Sequence, residues 1–567
     1  MKNTFKQITE IISNKDFKQL TNIKIDKPEY FNWVSEIFEG IHVKNTPQKT
    51  ALLWTDGEET VSYSYSQMSE NCNQLLNFLR NKGVQQGDIV LTQLMLQPIS
   101  WAATLATIKG GLQMIPTATI MGVQDLAYRF EKTLPKVIIS DVNNAHKTDE
   151  AEEVFGTKIP VKIICDGTRE GWYTLEDIEK ESTVAEAVAT KADDTLFMFF
   201  TSGTTGMPKI VCHTHFSYPV GHLTTTTWIG LTENDIHYNI SQPGWAKFAW
   251  SSFFAPWNVG AAIFAYHSNN RFEAAVTLDL IAKHKITTLC APPTVLRLFI
   301  QEDVKSYDFS LRECVAAGEP LNPEIIEEWK EATGVLIRDG FGQTESTCMV
   351  ANLPGQKVKF GSMGKPTFLY DVVIADNEGN ILPDNEEGNI CVRMERGETP
   401  NGIFKGYLFD KEREAKAFHS GLYYTGDKAY RDAEGYIWFI GRDDDVIKAS
   451  DYRIGPFEVE SVLLEHHAVV ESAVVGSPHH IKGHEVKAFV VLHHEHEPTE
   501  HLAIDIFMFS RKFLAPYKMP RIIEFVTELP KTISGKIRRV ELRASEAENK
   551  AKNQQSDNEF FYSKDRN

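Results

Sequence analysis

The sequence predicts an α/β chain: a large N-terminal domain of doubly wound sheets with a small β-barrel-like subdomain, followed by a small α+β C-terminal domain. Three observations predict it. Between Tyr63 and Ser140, and again from Ile210 to about Thr347, apolar runs of strand length alternate with stretches of helical period, which is the pattern of right-handed crossovers in a mostly parallel sheet. From Gly361 to Ile440 the pattern becomes short alternating strands broken by turn signals at Asp376 to Gly379, Glu386 to Gly388 and Asp432 to Gly435, as in a small antiparallel or barrel subdomain. A chain of 567 residues is also too long for one core and asks for three or four packing units.

Taken in order, residues 1 to about 60 are a lead-in, with helical periodicity through Phe31 to Phe38 and a strand at Ala51 to Trp54. The first alternating block places helices at Ser66 to Lys82, Ile99 to Lys109 and Val123 to Thr133. Its strands fall at Ile89 to Leu94, Met114 to Pro116 and Val137 to Ser140. In the second block, strands at Thr287 to Cys290 and Cys314 to Ala317 alternate with helices at Pro293 to Ile300 and Pro323 to Thr333. The stretch Gly441 to Asp445 is the border, so the large domain is expected over 1 to 440, with its β subdomain from about 361. Beyond it, helices at Pro456 to Leu464 and Leu502 to Phe513 and strands at Glu471 to Val475 and Lys487 to Leu492 make a compact module over 446 to 545. The polar composition of 546 to 567 predicts a charged tail.

The bulk numbers exclude several classes. No run approaches the ~20 apolar residues that span a bilayer; the longest greasy region, Ile89 to Gly111, is cut by Gln93, Gln97, Pro98 and Lys109. The N-terminus has no secretory apolar core. Seven scattered cysteines with no Cys-x-x-Cys fit reduced thiols in a cytoplasmic protein. A net charge of -18 argues against nucleic acid or an anionic membrane as the main partner, and the lack of a spanning run against an integral membrane place. Anionic ligands would then need local cations, which cluster late in the chain at Arg442, Lys448, Arg453, Lys482, Lys487, Lys518, Arg521, Lys531, Lys536, Arg538 and Arg539.

The most informative string is Thr201-Ser202-Gly203-Thr204-Thr205-Gly206-Met207-Pro208-Lys209, directly after the apolar run Leu196 to Phe200. Its glycines let backbone N–H groups approach phosphate oxygens, its hydroxyls add donors, and Lys209 adds a point charge. It is a phosphate grip without the NTPase pattern, because Pro208 precedes the lysine and no Ser or Thr follows it. The string resembles the signature loop of the adenylate-forming superfamily, and within it the AMP-forming acyl-CoA synthetases of the medium-chain and short branched-chain branch.

The resemblance runs from about residue 30 to 545 and rests on further blocks in family order: Gln242 to Lys247, Ala317 to Leu321, Asp339 to Glu345, Tyr423 to Asp427 and Pro530 to Lys536. It implies an ATP site built from Thr201 to Gly206, Lys209, Gly318, Glu319, Pro320, Asp339, Gly340, Phe341, Gly342, Gln343, Thr344, Asp427, Arg442 and Lys536. Phe341 would stack on adenine, Thr344 would touch the α-phosphate, and Glu345 would hold Mg²⁺, a hard cation that suits carboxylate and phosphate oxygens. Asp427 would accept both ribose hydroxyls, a task for two acceptor oxygens and no donor. The run Asp443-Asp444-Asp445 is open to a metal site or a solvated charge run, and the resemblance makes Asp444 the hinge of a mobile C-terminal domain. Lys536 would bridge substrate carboxylate and α-phosphate, so the catalytic set is Lys536, Thr344, Glu345 and Lys209. Coenzyme A would meet Ser450, Asp451, Tyr452, Arg453, Lys482, Met519, Pro520 and Arg521. Many relatives carry glycine at the position of Asp451. The run His493 to Glu497 is open to a metal site or to solvent exposure.

The acyl pocket is expected at Trp228, Trp245, Lys247, Trp250 and Gly342. Acetate-specific relatives close it with tryptophan at the position of Gly342, so glycine removes a wall while the tryptophans narrow the far end. Each buried CH₂ is worth ~0.8 kcal/mol, and this balance favours branched short acids, or propionate and butyrate, over acetate and palmitate. The expected reaction joins a carboxylic acid to CoA at the expense of ATP. An aryl-acid or carrier-protein-loading ligase and a catalytically lost nucleotide-binding protein are the alternatives, and the oligomer is open between monomer and homodimer. The resemblance also implies a lysine acetyltransferase and deacetylase acting on Lys536.

Overall fold

The structure, a computed structural model, describes all residues except 202–207, 320, 395–397, 450–451, 480–482, 532–535 and 563–567. It divides into two compact units. The first comprises Met1–Leu321, Ile325–Val372 and Arg393–Gly421; the second comprises Asn322–Glu324, Val373–Val392 and Leu422–Asn567.

The first unit holds two large, mostly parallel sheets, as the alternating pattern predicts. One has seven strands in the order Gly406–Tyr407, Lys209–Thr214, Thr195–Thr201, Gln113–Pro116, Ile89–Gln93, Val137–Ser140 and Val161–Ile164. Its five strands from Thr195–Thr201 onward run parallel, and the first three pair antiparallel. The other sheet has nine strands, with Thr50–Thr55, Ala262–Tyr266, Ile236–Asn239, Thr288–Ala291, Glu313–Ala316 and Ile337–Gly342 parallel between antiparallel edges. The helix Ile99–Lys109 is buried at every position, because it lies between layers. Its one charge, Lys109, is neutralised by Glu39 at 2.7 Å. All seven cysteines are free and buried, where burial raises the thiols of Cys72, Cys165 and Cys314 and keeps them unreactive.

Histidines at five buried positions of this unit are held neutral. Burial depresses His42, His213 and His215 to about 4, His237 to about 3, and His222 well below its ordinary value. In the unfolded chain these rings take up protons near pH 6.5, so the stability they confer is complete above that pH and is lost as pH falls from 6.5 towards 4. The expected cost is about 1 kcal/mol per ring per pH unit in that window. Urea midpoints at pH 7.5 and 5.5 that coincide would contradict this.

The second unit contains an antiparallel sheet whose strands include Leu422–Arg431 and Ile437–Arg442, and a second sheet built on the hairpin of Val469–His479 with Gly483–Leu492. The units therefore part earlier than the border expected at 441 to 445. Gly455 explains the continuity across that border, since a Cβ there would stand 2.3 Å from Ile440 O.

The charged tail expected over 546 to 567 is corrected. Helix Arg539–Ala551 continues through residue 546, and Glu559–Phe561 adds a strand antiparallel to Ile522–Phe525. The reason is a buried charge cluster: Lys487, 1% exposed, meets Glu524, Glu546 and Glu559 at 2.7, 2.5 and 2.7 Å. Lys487 is thus no cation for an anionic ligand. Lys518, Lys531 and Arg539 are likewise paired, with Glu458, Glu471 and Glu460. No helix among the described residues is long and apolar enough to cross a membrane.

Candidate active site

In the first unit the site begins at the hairpin of Thr195–Thr201 and Lys209–Thr214, whose last pair, Thr201 with Lys209, closes the mouth of the glycine-rich loop. Ser202, Gly203, Thr204, Thr205 and Gly206 lie outside the described residues. Thr201 Oγ1 is buried with no hydrogen-bond partner among the described residues, a polar atom that a ligand oxygen could satisfy.

Across from this hairpin stands Glu345. Lys209 Nζ forms an ion pair with its Oε1, and Tyr407 Oη donates to the same oxygen at 2.9 Å. Burial pushes the Glu345 carboxyl up, but the Lys209 charge and the hydrogen bonds from Lys209 and Tyr407 outweigh it and hold the group below its ordinary value. It is an ionised carboxylate, 6% exposed, with the chemistry of a Mg²⁺ ligand. Its backbone is fixed as well, because Phe404 N donates to Glu345 O at 2.8 Å. The adjoining Thr344 carbonyl accepts from His213 Nε2 at 2.7 Å; a neutral ring supplies that N–H. Neither Tyr407 nor His213 is singled out by the sequence. Tyr407 arrives because the two-residue strand Gly406–Tyr407 pairs with Val211 and Cys212, a register that no local pattern announces.

Asp339, Gly340, Phe341 and Gly342 end the strand Ile337–Gly342, and Gln343 follows. Asp339 is buried, its carboxyl pushed well up, and its Oδ1 accepts from Gly340 N at 2.8 Å. Gly318 has φ +107 with nothing within 4 Å of an added Cβ, an open position. The Glu319 carboxylate is already engaged by Thr294 at 2.9 Å and Arg297 at 3.8 Å; Pro320 lies outside the described residues. Lys247 Nζ donates to Ala317 O at 3.2 Å, beside the same segment.

The expected acyl residues do not gather in one lining. Trp228 packs on Gly340, where a Cβ would stand 2.5 Å from its Cε2. Trp250 packs on Gly342, where a Cβ would stand 2.3 Å from its Cη2 and from Thr347 O. Trp245 instead lines a small cavity with Pro243, Gly244, Phe248 and Phe253. The expectation that Gly342 removes a wall is corrected: the space a side chain would occupy is filled by the Trp250 ring, brought there by a separate helical segment. Gly342→Ala should therefore lower stability by about 1–3 kcal/mol through overpacking, measured by urea unfolding. A loss below 0.5 kcal/mol would mean that Trp250 moves freely.

In the second unit Asp427 and Arg442 are directly opposed across the antiparallel pair Leu422–Arg431 and Ile437–Arg442. Asp427 is buried and its N–H is held by Thr425 Oγ1 at 3.2 Å, so a carboxylate and a guanidinium are presented side by side. Lys536 is exposed; near it Lys531 bridges Ile537 and Arg538 N donates to Pro530 O at 2.8 Å, while residues 532–535 lie outside the described residues. Tyr452, half-exposed, stacks on Tyr517 with ring centroids 4.1 Å apart, and Arg453 beside it is exposed. Ser450, Asp451 and Lys482 lie outside the described residues. Of the residues expected to meet coenzyme A, Met519 and Pro520 have buried side chains, Met519 in the apolar core of this unit. The Arg521 head donates to Pro516 O at 2.7 Å and lies over the Tyr562 ring.

The aspartate run is not simply solvated. Lys428 meets Asp443 at 3.1 Å, Arg442 and Arg543 approach Asp444 at 4.0 and 3.9 Å, and Arg543 pairs with Asp445. The run His493 to Glu497 gathers no metal-binding group among the described residues. The carboxylate group that does form, elsewhere in this unit, is Glu524, Glu546 and Glu559, which surrounds Lys487.

Residues 41–408 match the AMP-binding enzyme family, and residues 458–536 match the AMP-binding enzyme C-terminal domain. The chain is 49% identical over 537 residues to 4-hydroxybutyrate–CoA ligase 1 of Metallosphaera sedula, covering 94% of this chain and 93% of that protein. It is 40% identical to a mitochondrial acyl-coenzyme A synthetase, ACSM3, of Rattus norvegicus, covering 93% and 92%. Among solved structures, an anthranilate CoA ligase in complex with anthranoyl-AMP matches with a TM-score of 0.85 at 30% identity over 94% of this chain and 99% of that one. A benzoate CoA ligase from Burkholderia xenovorans matches at 0.78 and 27%, over 90% and 100%.

Proposed function

This chain belongs to the AMP-binding enzyme family and is an AMP-forming acid–thiol ligase using ATP and CoA on short- to medium-chain acids, and we propose that its preferred acid has four or five carbons. What supports this is the pair of tryptophans packed on the strand Ile337–Gly342: Trp228 on Gly340 and Trp250 on Gly342 fill room that a longer acyl chain would need there. Branched acids (isobutyrate, 2-methylbutyrate, isovalerate) keep their carbons near the carboxylate and are the expected best substrates. One methylene too many costs roughly 1–3 kcal/mol in discrimination.

A second reading, 4-hydroxybutyrate, is favoured by the buried Trp228 Nε1, which has no hydrogen-bond acceptor among the described residues and could donate to a terminal hydroxyl. The relative at 49% identity bears that acid in its name.

In the proposed reaction the acid carboxylate attacks the α-phosphorus of ATP, pyrophosphate leaves, and the CoA thiol then attacks the acyl carbonyl and releases AMP. Lys209 and the Thr201 loop hold phosphate oxygens, Thr344 the α-phosphate, and Asp427 with Arg442 the ribose. Glu345 would hold Mg²⁺, which when bound supplies neutralising charge at the phosphates. Lys536 aims a positive charge at the α-phosphate and carboxylate during the first step. Tyr452 and Arg453 meet CoA in the second.

The experiment is AMP release against straight and branched acids from C2 to C12 and 4-hydroxybutyrate, each with and without CoA. A maximum at branched C4 or C5 supports the first reading, and a maximum at 4-hydroxybutyrate over butyrate the second. A maximum at C8 or at aromatic acids refutes the tryptophan argument. Adenylation that never passes to CoA would turn the case to a carrier-protein ligase, and no acid-dependent pyrophosphate release at all would leave a nucleotide-binding protein.

A further inference from the structure

Helix Arg539–Ala551 begins three residues after Lys536, and its charged positions 539, 543 and 546 follow the i, i+4, i+7 spacing of one helical face. Each goes to a different element of the same unit. Arg539 makes a bidentate bond to Glu460 on helix Pro456–Leu464, with Nη2 at 2.8 and 2.6 Å from the two carboxylate oxygens. Glu546 joins the buried Lys487 cluster. Arg543 alone reaches the turn Arg442–Val446, where Nη1 pairs with Asp445 and Nη2 stands 3.9 Å from Asp444.

That turn is closed by its own backbone, with Asp445 N and Val446 N both donating to Arg442 O at 2.9 and 3.1 Å. Asp445 is 13% exposed against 65% for Asp443, so its pairing is sheltered from solvent and from salt more than the rest of the run. A rotation about this turn must therefore either break the Arg543 pairs or carry the helix, and the Lys536 loop before it, along with the turn.

We propose that Arg543 is a positioning residue, a latch that couples the backbone state of the 442–446 turn to the placement of the Lys536 loop and so sets the balance between the two half-reactions. This rests on the proposed function, in which Lys536 serves the first half-reaction, and on the hinge at Asp444 that the family resemblance implies. Arg543 touches neither substrate in this account. It acts through Asp444 and Asp445, and what it changes is the ratio of the half-reactions.

The test measures both half-reactions in the full-length enzyme: pyrophosphate release from acid and ATP without CoA, and thioester formation from chemically prepared acyl-adenylate and CoA. Arg543→Gln and Asp445→Asn should each shift the ratio of the two rates by at least about fivefold in the same direction, the size of an ordinary coupling. The double variant should shift it no further than either single, because both remove one interaction. Arg543→Lys should recover most of the wild-type ratio. Rates that fall together with the ratio unchanged would overturn the latch, as would shifts that multiply in the double variant. Asp445→Asn keeps the test decisive if Arg543→Gln does not fold. Lys536→Ala in the same assays separates the two claims. If it lowers both half-reactions equally, the assignment of Lys536 fails, while the Arg543 and Asp445 ratios still decide the latch.

Discussion

Lys536→Ala is expected to lower adenylation by about 100- to 1,000-fold, the usual loss when one charge aimed at a transition state is removed, while thioester formation from supplied acyl-adenylate stays within a few-fold of wild type. The asymmetry follows from the chemistry. Negative charge develops on the α-phosphate and bridging oxygens only while pyrophosphate departs, so a lysine serving that moment has nothing to do once the acyl-adenylate is made. Lys536 is exposed, so truncation should leave the fold intact and the loss should appear in turnover and not in stability. Equal loss in both half-reactions would refute the assignment. Acetylation would act in the same direction, since it removes the same charge.

Glu345→Gln should reduce adenylation by about two orders of magnitude and also lower stability, because it leaves the Lys209 ammonium without its carboxylate in a half-buried site. Breaking one partner of such a pair typically costs about 3–5 kcal/mol when burial is complete, and less here, where Lys209 keeps 18% of its side chain in solvent. The two effects separate in the double variant Glu345→Gln with Lys209→Met. Removing both charges should restore most of the stability and none of the activity. A double variant as unstable as the single would mean that Lys209 is not the group left unpaired. The pH dependence has a definite sign too. The carboxyl is depressed in the folded protein, so its contribution is complete above the unfolded carboxylate value near 4.3 and is lost only as pH falls through the lower folded value. An acid limb of activity near neutral pH would therefore not come from Glu345.

Much of this molecule was readable before its structure. The helices Ile99–Lys109, Val123–Thr133, Pro293–Ile300, Pro323–Thr333 and Pro456–Leu464 lie where their periodicity and prolines predict them, because a helix is specified within its own turn-to-turn spacing. The string from Thr201 to Lys209 and the blocks at Asp339 to Glu345 and Pro530 to Lys536 are each made of consecutive residues, so the family resemblance could be read from them without the fold.

What the chain could not announce is every feature made by residues far apart in it. Glu345 is kept ionised by Lys209, 136 positions away, and by Tyr407, 62 positions away. Gly342 looks like an opening in the sequence and is a slot for Trp250 in the fold. The polar composition of 546 to 561 looks like a tail, yet it carries Glu546 and Glu559 into the unit around Lys487. Asp445 looks solvated and is tied to Arg543, 98 positions on. By itself the sequence determined the fold class and the enzyme class. The tertiary structure decided the charge state of Glu345, the packing of Trp250 on Gly342 and the pairing of Asp445 with Arg543, because burial and Coulomb energy depend on distances that only the packed chain sets.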